Sequence, residues 1–200
     1  MLYQHDFLSD TGDFVLEGEG TYEIADGKLI LDDSKSQSGL TLWVKHTFNR
    51  PLLITYEAEV LEPEIANNLN LFMMAQTLQG GPIWSEPHSG AYPDYHDSSS
   101  MYIFTMTGNM AGSEELTGWS RLRRNPGFDL LSEEPSVKTE LGKVYRLEYM
   151  LFNQRIQCSI NGKVVHQIEE ELPILQGSIG FRTWKTRLCI RRLRIQRLTE

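Results

Sequence analysis

The chain has 200 residues, of which 40% are hydrophobic, 10% aromatic and 23% charged, and this ordinary globular composition excludes a disordered or collagen-like chain. One domain fits the length, and a domain of this size buries roughly 70% of its unfolded surface without needing disulfide staples. The net charge of −8 argues against a general nucleic-acid binder, but it is unevenly spread: residues 1–100 carry 4 Lys+Arg and 16 Asp+Glu, residues 101–200 carry 15 and 11.

The opening, MLYQHDFLSD, lacks a basic segment followed by an apolar one and so does not read as a secretory leader. The expectation is a cytoplasmic protein, unless a removed leader precedes the sequence. No run approaches the ~18 apolar residues of a membrane span. Short runs of period two, punctuated by Gly, Pro, Asn and Asp, then dominate. GKLILDD alternates Leu29 and Leu31 with Lys28, Ile30 and Asp32. LLITYEAEVLE sets Ile54, Tyr56, Ala58 and Val60 on one face, with Thr55, Glu57 and Glu59 on a solvated opposite face. Any helices are short and fall near Glu62–Asn67 or Glu169–Leu172. NLFMMAQTL is more continuously apolar, as a central strand covered on both faces should be. From Gly80 to Asp97 the rhythm breaks. A loop this long is usually functional or disordered, and Trp84, Tyr92 and Tyr95 argue that it packs on something.

Farther along, Tyr102, Phe104 and Met106 share a strand face. SRLRR turns Arg121 and Arg123 one way and Leu122 the other, with Arg124 opposite to them unless a bulge turns it. Glu133-Glu134 reads as an exposed loop after this strand. Ile156, Cys158 and Ile160 share a face, and Asn161-Gly162 reads as a type I′ hairpin because both positions want φ > 0. The two cysteines, Cys158 and Cys189, are too few for a disulfide framework and read as buried free thiols. In GSIGFRTW, Ile179 and Phe181 face the core, and Arg182 and Trp184 point away from it. So many short strands predict an all-β, two-sheet antiparallel sandwich, and at this length a jelly roll.

The run Tyr92-Pro93-Asp94-Tyr95-His96, the step Gly108-Asn109, the basic strand Arg121–Arg124 and the following Gly127-Phe128 together resemble the YesU-like proteins of the concanavalin A-like lectin/glucanase superfamily. The opening DFLSDTGDFVLEGEG and the closing INGK and GSIGFRTW blocks are similar to the first and last strands of that superfamily. The resemblance spans most of the chain. It implies a concanavalin A-like jelly roll whose concave sheet holds carbohydrate, in a branch that accompanies the degradation of pectin and other acidic polysaccharides. Fold analogy supplies no reaction.

Tyr92, Asp94, Tyr95 and His96 put two phenols, a carboxylate and an imidazole within five positions, suited to stacking on sugar and to proton transfer. Arg121 and Arg123 repel each other unless an anion lies between them. Arginine suits a carboxylate or sulfate, although pairing with the chain's own acids would serve as well. Arg182 and Trp184 form either a further sugar subsite or a surface cation–π pair. Asn109, Trp84 and Trp119 complete the expected binding set, with Tyr92, Arg121, Arg123, Arg182 and Trp184. His96, Tyr95 and Asp94 are the candidate catalytic groups. A lyase would use Arg to neutralise a uronate and His96 or Tyr95 to take the C5 proton. A hydrolase would need Asp94 and a Glu flanking the bond. A non-catalytic binding module needs neither, and a structural role leaves the loop aromatics unexplained. No metal-ligand spacing joins the five histidines. No cofactor is expected, and structural calcium would match superfamily habit without an oxygen-rich loop to hold it. The expected partner is an oligo- or polysaccharide, with neither nucleic acid nor membrane; the oligomeric state is open.

Overall fold

The computed structural model describes residues 1–63, 68–109 and 118–199. Sixteen strands among them form two eight-stranded antiparallel sheets. The first runs β14 (Lys163–Glu169), β13 (Arg155–Ile160), β12 (Val144–Phe152), β7 (Leu52–Pro63), β16 (Thr186–Arg197), β4 (Lys28–Asp32) and β3 (Thr21–Ala25), with β1 (Tyr3–His5) also on β16. The second runs β11 (Asp129–Glu134), β10 (Ser120–Asn125), β9 (Ser99–Thr107), β8 (Asn68–Thr77), β15 (Gln176–Thr183), β5 (Leu40–Val44) and β2 (Phe14–Gly18), with β6 (Phe48–Asn49) on β15. The expected two-sheet antiparallel jelly-roll sandwich is what forms.

Period-two alternation builds the core between the sheets. Ile54, Tyr56, Ala58 and Val60 of β7 meet Leu69, Leu71 and Met73 of β8 and Phe104 of β9 in one buried cluster. Each buried aliphatic side chain contributes about 1.5–3 kcal/mol. β8 is covered on both faces, since Phe72 on its other side is also buried. Asn161 (φ 52°) and Gly162 (φ 79°) make the expected tight hairpin between β13 and β14, and Cys158 and Cys189 are free and buried. Glu57 and Glu59 lie on the outer face of β7, paired with Arg192 and Arg191. Two expectations need correction. Glu133 and Glu134 belong to strand β11 and not to a loop, because β10 pairs with them across a hairpin. No helix forms over Glu169–Leu172, where β14 ends in a bend; of the other expected helix, residues 62 and 63 belong to β7 and 64–67 lie outside the described residues. Among the described residues the two short helical turns are Ile83–Ser85 and Tyr92–Tyr95.

Two buried polar contacts make testable statements about stability. The hydroxyls of Tyr56 and Tyr149 bond each other at 3.2 Å inside the core. Either single Tyr→Phe change orphans the remaining hydroxyl, at an expected cost of about 1–3 kcal/mol, whereas the double change removes both groups and lies within about 1 kcal/mol of the parent. Urea unfolding of the three variants checks this. At the seam between the sheets, His166 of β14 bridges Ser120 of β10 and Ser132 of β11, each at 2.8 Å. Burial lowers its pKa from 6.5 to about 4. The unfolded chain therefore takes up a proton that the folded chain refuses, and stability falls as pH drops from 6.5 towards about 4. His166→Asn is expected to flatten that part of the stability-versus-pH curve, measured by denaturant unfolding at a series of pH values.

Candidate functional site

The outward face of the second sheet is laid out by register. One row across it reads Glu133, Arg121, Thr105, Asn70, Arg182, Thr41 and Glu17, from β11 to β2. The next row reads Arg123, Ile103, Phe72, Gly180, Trp43 and Val15. Apart from Arg123 it is apolar. Gly180 makes room for the indole of Trp43, since a Cβ there would fall 2.4 Å from the ring. On the opposite side of the first row, Thr107 and Asn68 pair, with Trp119 beside Thr107.

The aromatic segment of residues 78–98 covers the apolar row. Ile83 and Tyr95 pack with Trp43, Phe72 and Ile103 in a second buried cluster separate from the sandwich core. The anchor beneath it is Glu17, whose Oε2 accepts from Trp43 Nε1 (2.8 Å) and Tyr95 Oη (2.9 Å) and lies 3.4 Å from His88 Nδ1. The segment is also held backbone to backbone. Gly90 (φ +87°) touches Gly18 and Gly39 so closely that a Cβ on it would lie 2.5 Å from Gly18 Cα and 2.6 Å from Gly39 O.

What the segment leaves uncovered is a groove of about 530 Å³. Its floor is Asn68, Asn70, Thr105 and Thr107. Tyr92 and Pro93 wall it on the side of the segment, Trp119, Arg121, Arg123 and Phe128 on the β10 side, and Arg182 and Trp184 at the β15 end. Among its described lining residues there is no Asp, Glu or His. The three guanidiniums differ. Arg121 is ion-paired through Nε with Glu133 and stacks over Trp119, Cζ 3.7 Å from the ring centre. Arg123 gives Nη1 to Phe128 O (3.1 Å), lies 4.2 Å from the centre of the Phe128 ring, and has no carboxylate partner among the described residues. Burial, then the neighbouring Arg121, lowers its pKa. Arg182 is only 3% exposed. Its Nη2 reaches the carbonyls of Gly90 (3.3 Å) and Ser38 (3.5 Å), its Cζ lies 4.4 Å from the Tyr92 ring centre, and its buried Nε has no partner. Desolvation lowers its pKa too. Tyr92 Oη sits 3.1 Å from Thr105 Oγ1, and burial raises its pKa, against the pull of Arg182 and Arg123.

The fold thus brings Tyr92, Trp119, Arg121, Arg123, Arg182 and Trp184 together. It does not bring in the other expected residues. Tyr95 is fully buried with its hydroxyl on Glu17 and Thr41, and burial pushes its pKa far up, so it cannot take a proton from a ligand in the groove. His96 stacks on Phe128, ring centres 3.8 Å apart, and its Nε2 is buried; burial also lowers its pKa. Arg123 and His96 cannot share one face of Phe128 at such distances, so that ring separates the imidazole from the cation of the groove. Asp94 turns outward to accept from Ser89 N (3.0 Å) and Ser89 Oγ (2.5 Å), which lower its pKa and tie the loop. Trp84 packs on the second cluster, and Asn109 Oδ1 accepts from Gly118 N (3.0 Å) and Lys138 Nζ (3.3 Å). None of these five lines the groove. The residue-level reading missed the polar floor, because Asn70 and Thr105 come together only through the pairing of β8 with β9. No group of three or more His, Cys, Asp or Glu that could hold a metal gathers among the described residues.

The family model described as a domain of unknown function, DUF6250, matches residues 34–193. The chain belongs to that family. The matched span of this DUF6250 chain contains every residue that lines the groove, from Gln37 to Trp184, but not the anchor Glu17. No curated protein matches it. Among solved structures, the DUF6250 chain is similar to a protein of unknown function with a galectin-like fold from Bacillus subtilis, at 20% identity and TM-score 0.83, covering 98% of this chain and 95% of that one. It is also similar to the carbohydrate-binding module CBM66 from Bacillus subtilis, at 8% identity and TM-score 0.61, covering 92% and 95%. A third likeness is to the carbohydrate recognition domain of Emp46p in its metal-free form, at 11% identity and TM-score 0.64, covering 98% and 97%. At these identities the likeness is one of fold, a concanavalin A-like jelly roll.

Proposed function

We propose that this chain binds an acidic, uronate-containing oligo- or polysaccharide in the groove on its second sheet. The observation that carries the reading is a pair of guanidiniums, Arg123 and Arg182, that line the groove with no direct ion pair to a carboxylate among the described residues; Glu133 and the buried Asp33 act on them only at longer range, and the described lining itself holds no acid. An unpaired cation removed from water is costly, and an incoming carboxylate offsets that cost with charge-assisted hydrogen bonds. Tyr92, Trp119 and Trp184 supply aromatic surface, and Thr105 supplies a hydroxyl partner. The carbohydrate-binding names of CBM66 and the Emp46p domain support the saccharide class. Tyr92 and Pro93 of the Y-P-D-Y-H run and Arg121 and Arg123 of the basic strand line one groove, which supports placing the chain in the YesU-like branch.

Binding without turnover is the better-supported form of this reading. Hydrolysis by the usual route needs two carboxylates flanking the bond, and the three candidate catalytic groups, Asp94, Tyr95 and His96, lie outside the lining. The test is a calorimetric panel of uronate polymers (polygalacturonate, alginate, hyaluronan) against neutral glucans and xylans. The acidic class is expected to bind at least about tenfold more tightly, with affinity falling as salt rises. Equal binding of both classes, or of neither, overturns the proposal. Arg123→Gln is expected to weaken the best acidic ligand about tenfold, a charged hydrogen bond being worth about 1.5–3 kcal/mol, and to leave the melting temperature unchanged because Arg123 is partly exposed.

A further inference from the structure

We infer that the groove reads the end of an acidic saccharide chain and seats the carboxylate of the terminal residue on Arg182. This rests on the saccharide reading above and extends it to which part of the polymer is held. Arg182 stands in a corner closed on two sides. Across the strands, the next residue in its row, Thr41, lies beneath Tyr95 at 3.3 Å, and the row is then shut by the contact of Gly90 with Gly18 and Gly39. Along the strand, the neighbouring row is filled by Phe72 and Trp43 under Ile83 and Tyr95. A polymer cannot pass through either wall.

The chemistry of the corner suits a terminal acid. Of the three guanidinium nitrogens of Arg182, Nη2 is taken by backbone carbonyls and Nε is buried without a partner. Nη1 makes no hydrogen bond among the described residues and remains to meet a ligand. The aromatic face of Tyr92 lies against the same guanidinium, so a sugar reaching Nη1 does so beside a phenol ring. From this corner the uncovered row runs through Asn70 and Thr105 to Arg121, three strand spacings or about 14 Å away. The saccharide leaves Arg182 along that row, and its next acidic units pass Arg123.

The full chain is titrated with whichever uronate polymer of the panel binds best, at constant uronate mass, before and after partial acid depolymerisation. Capacity is expected to rise in proportion to the number of chain ends, and short oligouronates are expected to compete fully. Capacity that follows mass while the ends multiply overturns the end-reading and leaves saccharide binding standing. Failure of every uronate to bind overturns both. Arg182→Gln is expected to abolish the end-dependent component; an end-dependent component that survives in a folded variant contradicts the seat on Arg182.

Discussion

Replacing Gly90 by alanine is expected to lift residues 78–98 off the second sheet and abolish ligand binding while the sandwich itself stays folded. Gly90 has φ +87°, where a Cβ costs about 1–2 kcal/mol by itself. The larger effect is steric. The added carbon would lie 2.5 Å from Gly18 Cα and 2.6 Å from Gly39 O, both backbone atoms with no rotamer through which to escape. The docking it opposes depends on a small cluster in which Ile83 and Tyr95 are the segment's fully buried anchors, worth about 1.5–3 kcal/mol each. A penalty of ~3 kcal/mol or more is a large share of that local stability. Undocking would also remove Tyr92 from the groove wall and the Gly90 carbonyl from Arg182. Amide hydrogen exchange should show residues 78–98 losing protection while β7, β8 and β9 keep theirs. Unchanged protection in the segment would mean that the glycine junction does not hold it.

Arg182→Gln is expected to lower affinity for the best acidic ligand by roughly a hundredfold, about 3 kcal/mol, since truncating one partner of a desolvated charged contact costs 2–5 kcal/mol. The same change is expected to alter folding stability far less than affinity. The neutral amide escapes the desolvation cost of a guanidinium that is 3% exposed, while the buried Asp33 carboxylate loses the favourable pull of that cation, and the two effects oppose each other. Glutamine still offers an N–H to the nearby carbonyls. Calorimetry and thermal melting of the one variant separate the two roles. A melting temperature that falls in step with affinity would make Arg182 a structural residue.

The sheets were legible in the sequence because strand parity is a local property. Alternation alone sets Leu122 against Arg121 and Arg123, and Phe181 against Arg182; Leu122 and Phe181 lie in the sandwich core and the three arginines line the groove, although Arg182 is itself buried there. The Y-P-D-Y-H run was not legible in the same way. Its residues form a 3-10 turn, in which positions three apart share a face. Tyr92 and Tyr95 therefore both meet Phe72, while Asp94 between them turns out to Ser89. Five adjacent chemical groups look like one site in a linear motif; the turn distributes them among groove, buried cluster and surface. Register is the second hidden quantity. Nothing local in Asn70, Thr105, Arg121 and Arg182 shows that strand pairing sets them in one row. The third is where the charges go: their uneven split between the two halves is plain in the sequence, but their destinations are not. The acids of the first half include Glu17, which is spent beneath the 78–98 segment, and Glu133 neutralises Arg121. A protein of net charge −8 thereby keeps a cationic groove.

The most direct measurement is a crystal structure of the chain with a short oligouronate drawn from the best-binding polymer. The account predicts the saccharide in the groove of the second sheet, a terminal carboxylate within hydrogen-bond distance of Arg182 Nη1, and a sugar ring against Tyr92. An oligouronate bound elsewhere, or in the groove with its carboxylates turned to solvent and Arg182 untouched, would contradict it.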